Sequence, residues 1–390
     1  MTFVHRILHF IRTWGLRSGL SMLIFIGCAP TEINLDSKLE SSDEAIADTG
    51  PEAENPSAPP QNPAAPPSPV TSAPDLKFCS NLDFKGVDFP SSMSPAERRA
   101  FSVALTISGS FEGPNGWVNI TNDFDGMGLS AGLLNQTLGT GSLQPVLLQA
   151  RARDPRAFDV LSRDRRASLN GMLDRWQAAR KFKVTSATAF SQELNAEAGF
   201  DESSRLDEDF IATDGGPGDF YKVSVAATVA SAEQPSVEWA RENLYQAAPK
   251  QSQFKAEWKR ELQLLLATPA VRTEQVLAAL QLHARAKQYA QRLGRNDLRH
   301  YLTMFDIAVQ NGGLKSDEFA RIESWTKTRR WSDVDRLKQL VEVRMERVRV
   351  QYKEDVRRRK FSIIIGQGTV HGRLRRHEQE ACIRLAEVAF

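Results

Sequence analysis

The chain has 390 residues, of which 25% are charged, yet its formal net charge is only +2, and no nucleic-acid partner is expected. It holds three cysteines and six histidines with no CxxC and no histidine cluster, which excludes a structural metal of the usual kinds; no cofactor is expected. The two ends differ in character, so length alone overstates the number of domains.

Residues 1–28 carry Arg6, Arg12 and Arg17, then the apolar run LSMLIFIG, then Cys28. This is the pattern of a secretory signal, and its apolar core is too short for a membrane span of roughly 20 residues. FIGC resembles the bacterial lipobox, with Phe25 where leucine is usual. The resemblance implies that Cys28 is lipidated, and Ala29, with no aspartate after Cys28, resembles lipoproteins sorted to an outer membrane. The expected location is the bacterial envelope, on a lipid anchor.

Residues 29–75 are acidic and then rich in proline, alanine and serine (PEAENPSAPPQNPAAPPSPVTSAP). Such a segment buries too little apolar surface to offset its ordering entropy and is expected to act as a tether. Its reach is about 40 Å if flexible and about 150 Å if polyproline-like. Residues 76–390 then form the folded domain, and once the basic signal and the acidic residues 29–56 are set aside the remaining chain carries a net charge of about +6. Cys79 and Cys382 either bridge the first and last segments of this domain or remain separate thiols.

In SPAERRAFSVALTI, from Ser94, a serine cap, a proline at the first helical position and Glu97 at the capping-box position start a helix. Phe101, Ala104 and Leu105 give it an apolar stripe, and Glu112 falls at its end. NGWVNITN combines a turn with alternating Trp117, Val118 and Ile120, which predicts a small hairpin. Residues 130–150 regain apolar character through Leu133, Leu134, Leu138, Leu143 and Leu147. Beyond residue 155 the pattern is mostly helical. One helix is expected over Thr273–Leu293, on Val276, Leu277, Leu280, Ala284 and Tyr289, with Gly294 as its stop. Another lies in RHYLTMFDIAVQNGG, and a long basic amphipathic one over Asp333–Lys360. The predicted class is α+β, mostly helical, with a small β-hairpin sheet.

The run from Phe111 to Ser142 sets carboxylates on both sides of the hairpin. Glycoside hydrolysis needs one carboxylic acid to protonate the leaving oxygen and, in inverting enzymes, a carboxylate to activate water. Glu112, in a buried helix end, is expected to stay protonated; Asp125, in a turn reached by solvent, is expected to stay ionised. Gly126, Gly128 and Gly132 are expected to let a sugar ring approach the backbone. The bland reading is a solvated glutamate and an ordinary Asp-Gly turn. DFDG also matches part of a calcium loop, but the remaining ligands are missing.

DGMGLSAGLLNQTLGTG, Asp125 to Gly141, resembles the active-site run of the lysozyme-like chitosanases, D-G-x-G-Y-T-[GA]-G-I-I followed by G-T-G. FE[TG], DFDGxGLS, a GSLQPLL-like run and GQGTVHG are also similar to bacterial lysozyme-like proteins labelled peptidoglycan-binding. The resemblance implies a two-lobed lysozyme-like fold with the sheet at the cleft, Glu112 as acid, Asp125 rather than Asp123 as base, and Ser130 holding the water. Asp306, in YLTMFDIAVQNGG, resembles a helix aspartate that pairs with arginines, here Arg358 or Arg359. Asp123, Asn135, Gln136, Thr140 and Ser142 become candidate sugar contacts. Chitosanases place an acid after G-T-G where this chain has Ser142, which favours peptidoglycan over a polycationic polymer. The expectation is a monomeric inverting glycosidase cutting between N-acetylmuramic acid and N-acetylglucosamine. The alternatives are a chitosanase, or an enzyme for deacetylated wall, and a non-catalytic wall-binding lipoprotein.

Overall fold

The computed structural model describes residues 78–182, 184, 233–247 and 253–390; the signal, Cys28 and the tether lie outside the described residues. Among the described residues no helix is long and apolar enough to cross a membrane.

The Ser94 hydroxyl accepts the Glu97 N–H, and Pro95 opens helix α1, Pro95–Glu112. Phe101, Val103, Leu105, Ile107 and Phe111 are all buried along it, so α1 runs through the larger of two apolar cores. The helix ends at Gly113, where a side chain is excluded because an added Cβ would lie 2.2 Å from Asn119 Oδ1.

Gly116–Val118 then forms a 3-10 turn rather than the first strand of a hairpin. Gly116 takes a φ of 54°, and the buried Trp117 points its indole N–H at the Asp83 carbonyl, 3.1 Å away, so tertiary anchoring overrides the alternation in the sequence. The sheet starts later, as β1 (Ile120–Thr121), β2 (Ser130–Ala131) and β3 (Gln136–Thr137), antiparallel in that order. Thr121 pairs with Ser130, and Ser130 with Thr137. A second 3-10 turn, Asp123–Asp125, lies between β1 and β2.

The rest is helical: α2 (Leu143–Arg153), α3 (Arg163–Arg180), α4 (Gln234–Leu244), α5 (Ala256–Ala267), α6 (Pro269–Ala278), α7 (Leu280–Arg292), α8 (Leu298–Asn311), α9 (Ser316–Thr328), α10 (Asp333–Met345) and α11 (Val350–Ile365). Strands β4 (Gln367–Val370) and β5 (Arg373–Arg376) pair as a ribbon, followed by α12 (His377–Ala381). Helices α2 to α5 build the smaller core with the start of α6, and Val118 packs at the edge of both cores. The fold is mostly helical α+β with a small antiparallel sheet.

Two expected helices are each broken in two. The Thr273–Leu293 stretch starts earlier, where Thr268 caps Pro269, and divides at Ala279. Asp333–Lys360 divides after Met345, where Val348 turns inward to 3% exposure. Neither break carries proline or glycine, so the apolar period continues across both and the packing alone interrupts the helix. Cys79 and Cys382 are joined by a disulfide, and the Cys79 N–H donates to the Ala381 carbonyl beside it.

Gly128 is pressed against α4: at its φ of +78° an added Cβ would lie 3.0 Å from Val237 Cα. Gly128→Ala is expected to destabilise the domain by about 2–4 kcal/mol, through left-handed strain plus overpacking, as read from the midpoint of chemical unfolding. An unchanged midpoint would contradict this packing.

Candidate functional site

Glu112 is the last residue of α1, and three side chains hold it. Arg359 Nη1 lies 2.7 Å from its Oε1, while Asn135 Nδ2 reaches both its carbonyl, at 3.2 Å, and Oε2, at 3.4 Å. Asn119 donates to the same carbonyl at 3.3 Å and to Asn135 Oδ1 at 2.9 Å. Asn135 does this from a left-handed backbone, φ 51°, a conformation that asparagine tolerates better than most residues. The side chain of Glu112 is buried, as expected of this helix end, but its carboxylate faces a guanidinium and an amide.

Arg359 is itself fully buried and shared with Asp306, which it meets through Nη2 at 2.7 Å. Lys360 Nζ meets the other Asp306 oxygen at 2.7 Å, and the Ser108 hydroxyl donates to Oδ1 at 3.0 Å. Burial alone would raise the Asp306 pKa, but the two cations outweigh it and hold the carboxyl well below the usual range. Burial is the stronger influence on Lys360, whose ammonium falls to about 8 despite Asp306. Of the two arginines considered from sequence, Arg359 is the partner; Arg358 is exposed and pairs with Glu354. Arg359 also lies 4.7 Å from the Phe111 ring centroid and Arg375 5.0 Å from it, so the residue before Glu112 is in contact with two guanidinium groups.

Asp125 departs from expectation. It is 3% exposed rather than open to solvent, and its Oδ1 accepts the Met127 N–H at 3.0 Å. Burial pushes its carboxyl up to about 6; the Met127 N–H opposes this in part and the neighbouring Asp123 charge adds to it. Helix α4 packs on the same loop: its Arg241 binds Asp123 Oδ2 at 2.6 Å and the Gly126 carbonyl at 3.1 Å, while Tyr245 donates to the Gly128 carbonyl. Ser130 is buried beside Asp125, near enough to its carboxylate to favour the ionised form weakly. Its hydroxyl makes no well-formed hydrogen bond among the described residues.

The other candidates divide. Asp123 is engaged within the protein, accepting the Gly128 N–H at 2.6 Å besides Arg241. Gln136 is half-buried on β3. Thr140 and Ser142 are exposed and form a hydroxyl cluster with Thr137: Thr140 Oγ1 lies 2.8 Å from Thr137 Oγ1 and 2.9 Å from Ser142 Oγ. Gly128 and Gly132 serve packing rather than ligand approach, since an added Cβ at Gly132 would meet Gln275 Oε1 at 2.7 Å. That Gln275 oxygen accepts the Leu133 N–H, fixing the sheet to α6. Among the described residues no group of three or more histidine, cysteine, aspartate or glutamate side chains is placed to hold a metal.

Lys360, Asn119 and Arg375 escaped the sequence reading. For Lys360 a signal existed: Val356, Arg359, Lys360, Ile363 and Ile364 follow helical spacing, which sets two cations on the apolar stripe of α11 and demands a buried acid. No protein-family model, curated protein or solved structure matches the chain.

A carboxyl raised from 3.8 to about 6 keeps its proton in the folded state while the unfolded chain has lost it, so stability falls as pH rises from about 4 to 6. The cost at neutral pH is about 3 kcal/mol. Asp125→Asn, which keeps an acceptor for Met127, is expected to be more stable than the parent at pH 7.5 and to lose that advantage near pH 4; equal differences in melting temperature at both values would refute this. Asp306→Asn leaves two buried cations facing a neutral amide and is expected to cost about 3–5 kcal/mol in the same measurement.

Proposed function

We propose that the domain is a lysozyme-like glycosidase of the bacterial cell wall that hydrolyses β-1,4 bonds of peptidoglycan with inversion. Glu112 donates a proton to the leaving oxygen, Asp125 draws a proton from the attacking water, and the Ser130 hydroxyl helps hold that water. The observation that carries this reading is that two carboxylates of different environment are fixed to one small sheet. Glu112 is held by Asn135, just before β3, and Asp125 sits beside Ser130 on β2. Separated environments are how one site obtains both an acid and a base.

A carboxylate with pKa about 6 is a good base near neutral pH, because it is ionised there yet still proton-hungry. The rising limb of the pH–rate profile then falls near 6. The pairing of Glu112 with Arg359 favours one variation, in which Asp125 is the proton donor and Glu112 the base. Azide separates the two, since it takes the place of activated water and restores turnover only to the variant lacking its base. The expected result is rescue of Asp125→Ala, with a glycosyl azide product, and no rescue of Glu112→Ala.

The substrate assignment rests on Ser142. Its hydroxyl accepts the Thr137 N–H at 2.8 Å and belongs to the uncharged Thr137–Thr140–Ser142 cluster, which offers no anion for the ammonium of a deacetylated sugar. The lipid anchor on Cys28 and an outer-membrane location complete the proposal.

Incubation with purified acetylated peptidoglycan is expected to release hydrated fragments identifiable by mass, and Glu112→Gln to lower their rate at least about a thousandfold. Release from chitosan or deacetylated wall alone would favour the chitosanase alternative. Sedimentation with wall and no fragments from any polymer would leave a binding lipoprotein.

A further inference from the structure

The turn between α9 and α10 carries a group of cations that the glycosidase reading does not use. Around it, acids and bases are matched: Arg292 with Glu323 at 2.8 Å, Arg321 with Glu346 at 2.7 Å, Arg347 with Asp317 at 2.6 Å, and Arg295 with Asp333. Every acidic side chain from Asp317 to Asp335 is thereby engaged, Asp335 accepting from the Ser332 hydroxyl at 2.6 Å. Lys327, Arg329 and Arg330 are exposed and have no acidic partner among the described residues.

The surroundings hold one of these cations in place. Arg329 lies 5.6 Å from the Trp325 ring centroid and 5.3 Å from that of Trp331, and the two indoles meet edge to face at 6.0 Å. The Arg329 N–H donates to the Trp325 carbonyl at 2.9 Å, and Ser332 caps α10 by accepting the Asp335 N–H. Both ends of the turn are therefore fixed. A guanidinium seated against aromatic rings keeps its N–H edge free, and that edge matches the two oxygens of a carboxylate.

We propose that Lys327, Arg329 and Arg330 form a second polymer-binding surface, on elements that supply nothing to the Glu112–Asp125 site, and that its ligand is a carboxylate-bearing polysaccharide. Three unneutralised cations within four residues, from the end of α9 into the turn, call for a ligand with repeated anionic groups. The indoles are half-buried and already in contact with guanidinium groups, Arg321 at 5.2 Å from Trp325 included, so they offer poor stacking for nucleic-acid bases. The large exposed apolar side chains all lie elsewhere, which speaks against insertion into a bilayer. Peptidoglycan, with carboxylates on its lactyl groups and stem peptides, belongs to the ligand class. That identity rests on the proposed function, whereas the surface itself does not.

The test measures binding of the purified full-length protein to polygalacturonate, to anionic phosphatidylglycerol vesicles and to single-stranded DNA, at two salt concentrations. Polygalacturonate is expected to bind best, with affinity falling as salt rises. Arg329→Ala and Arg330→Ala are each expected to weaken it about tenfold, the loss of a charge-assisted hydrogen bond. Arg156→Ala with Arg358→Ala removes two exposed cations elsewhere and should change it little. Equal loss in this control, no loss in the turn variants, or binding to vesicles or DNA that is tighter than to polygalacturonate and is itself weakened by the turn variants would each overturn the proposal. Glu112→Gln should bind polygalacturonate like the parent, so failure of the hydrolase reading leaves this result standing.

Discussion

The buried carboxylate of Asp306 is the constraint on which the arrangement of Glu112 depends. It sits at 0% exposure on α8 and draws Ser108 from α1 and both Arg359 and Lys360 from α11 onto one point. Removing these charges from water costs several kcal/mol per ion, repaid only when the geometry satisfies each group. Here Arg359 serves two acids: its Nε and Nη2 hydrogen-bond Asp306, and Nη1 pairs with Glu112 at 2.7 Å. The core must therefore assemble before the proposed catalytic glutamate has a fixed place. Its position is a property of three helices, not of the end of α1 alone.

Much of this was legible in the chain because it depends on local chemistry. The Ser94–Pro95–Glu97 start of α1 and the Gly312–Gly313 end of α8 are capping signals that operate within a few residues. So is the placement of Glu112 at a helix end. What the sequence did not disclose depends on distant partners. Asp125 reads as an exposed Asp-Gly turn until α4 and Tyr245, more than a hundred positions later, close on its loop through Asp123 and Gly128. The breaks at Ala279 and after Met345 likewise have no local marker, and an uninterrupted apolar period predicts one helix wherever packing has not been seen.

The glycine-rich run shows how one pattern admits two physical explanations. Small residues beside a carboxylate suit a ligand that must come close, and they equally suit a loop that another helix must approach. For Gly128 the neighbour is Val237 on α4, for Gly132 it is Gln275 on α6, and for Gly139 it is Met127 within the loop itself. The space is occupied by protein. The glycines thus serve the site indirectly, by letting helices from both cores close on the loop that carries Asp125.

The same closure accounts for the chemistry proposed for that residue. An exposed aspartate is ionised but well solvated, and a poor base; one buried without compensation stays protonated and accepts nothing. Asp125 lies between these limits because burial raises its pKa while the Met127 N–H stabilises its anion, leaving the carboxyl near 6. Arg241 is spent on Asp123 and the Gly126 carbonyl, so this cation braces the loop backbone. Had it paired with Asp125 instead, the carboxylate would have been held as a fixed anion with little affinity for a proton. Asp123 is in this sense a positioning residue: by engaging Arg241 it keeps the guanidinium off its neighbour, and its own charge adds to the upward push on Asp125.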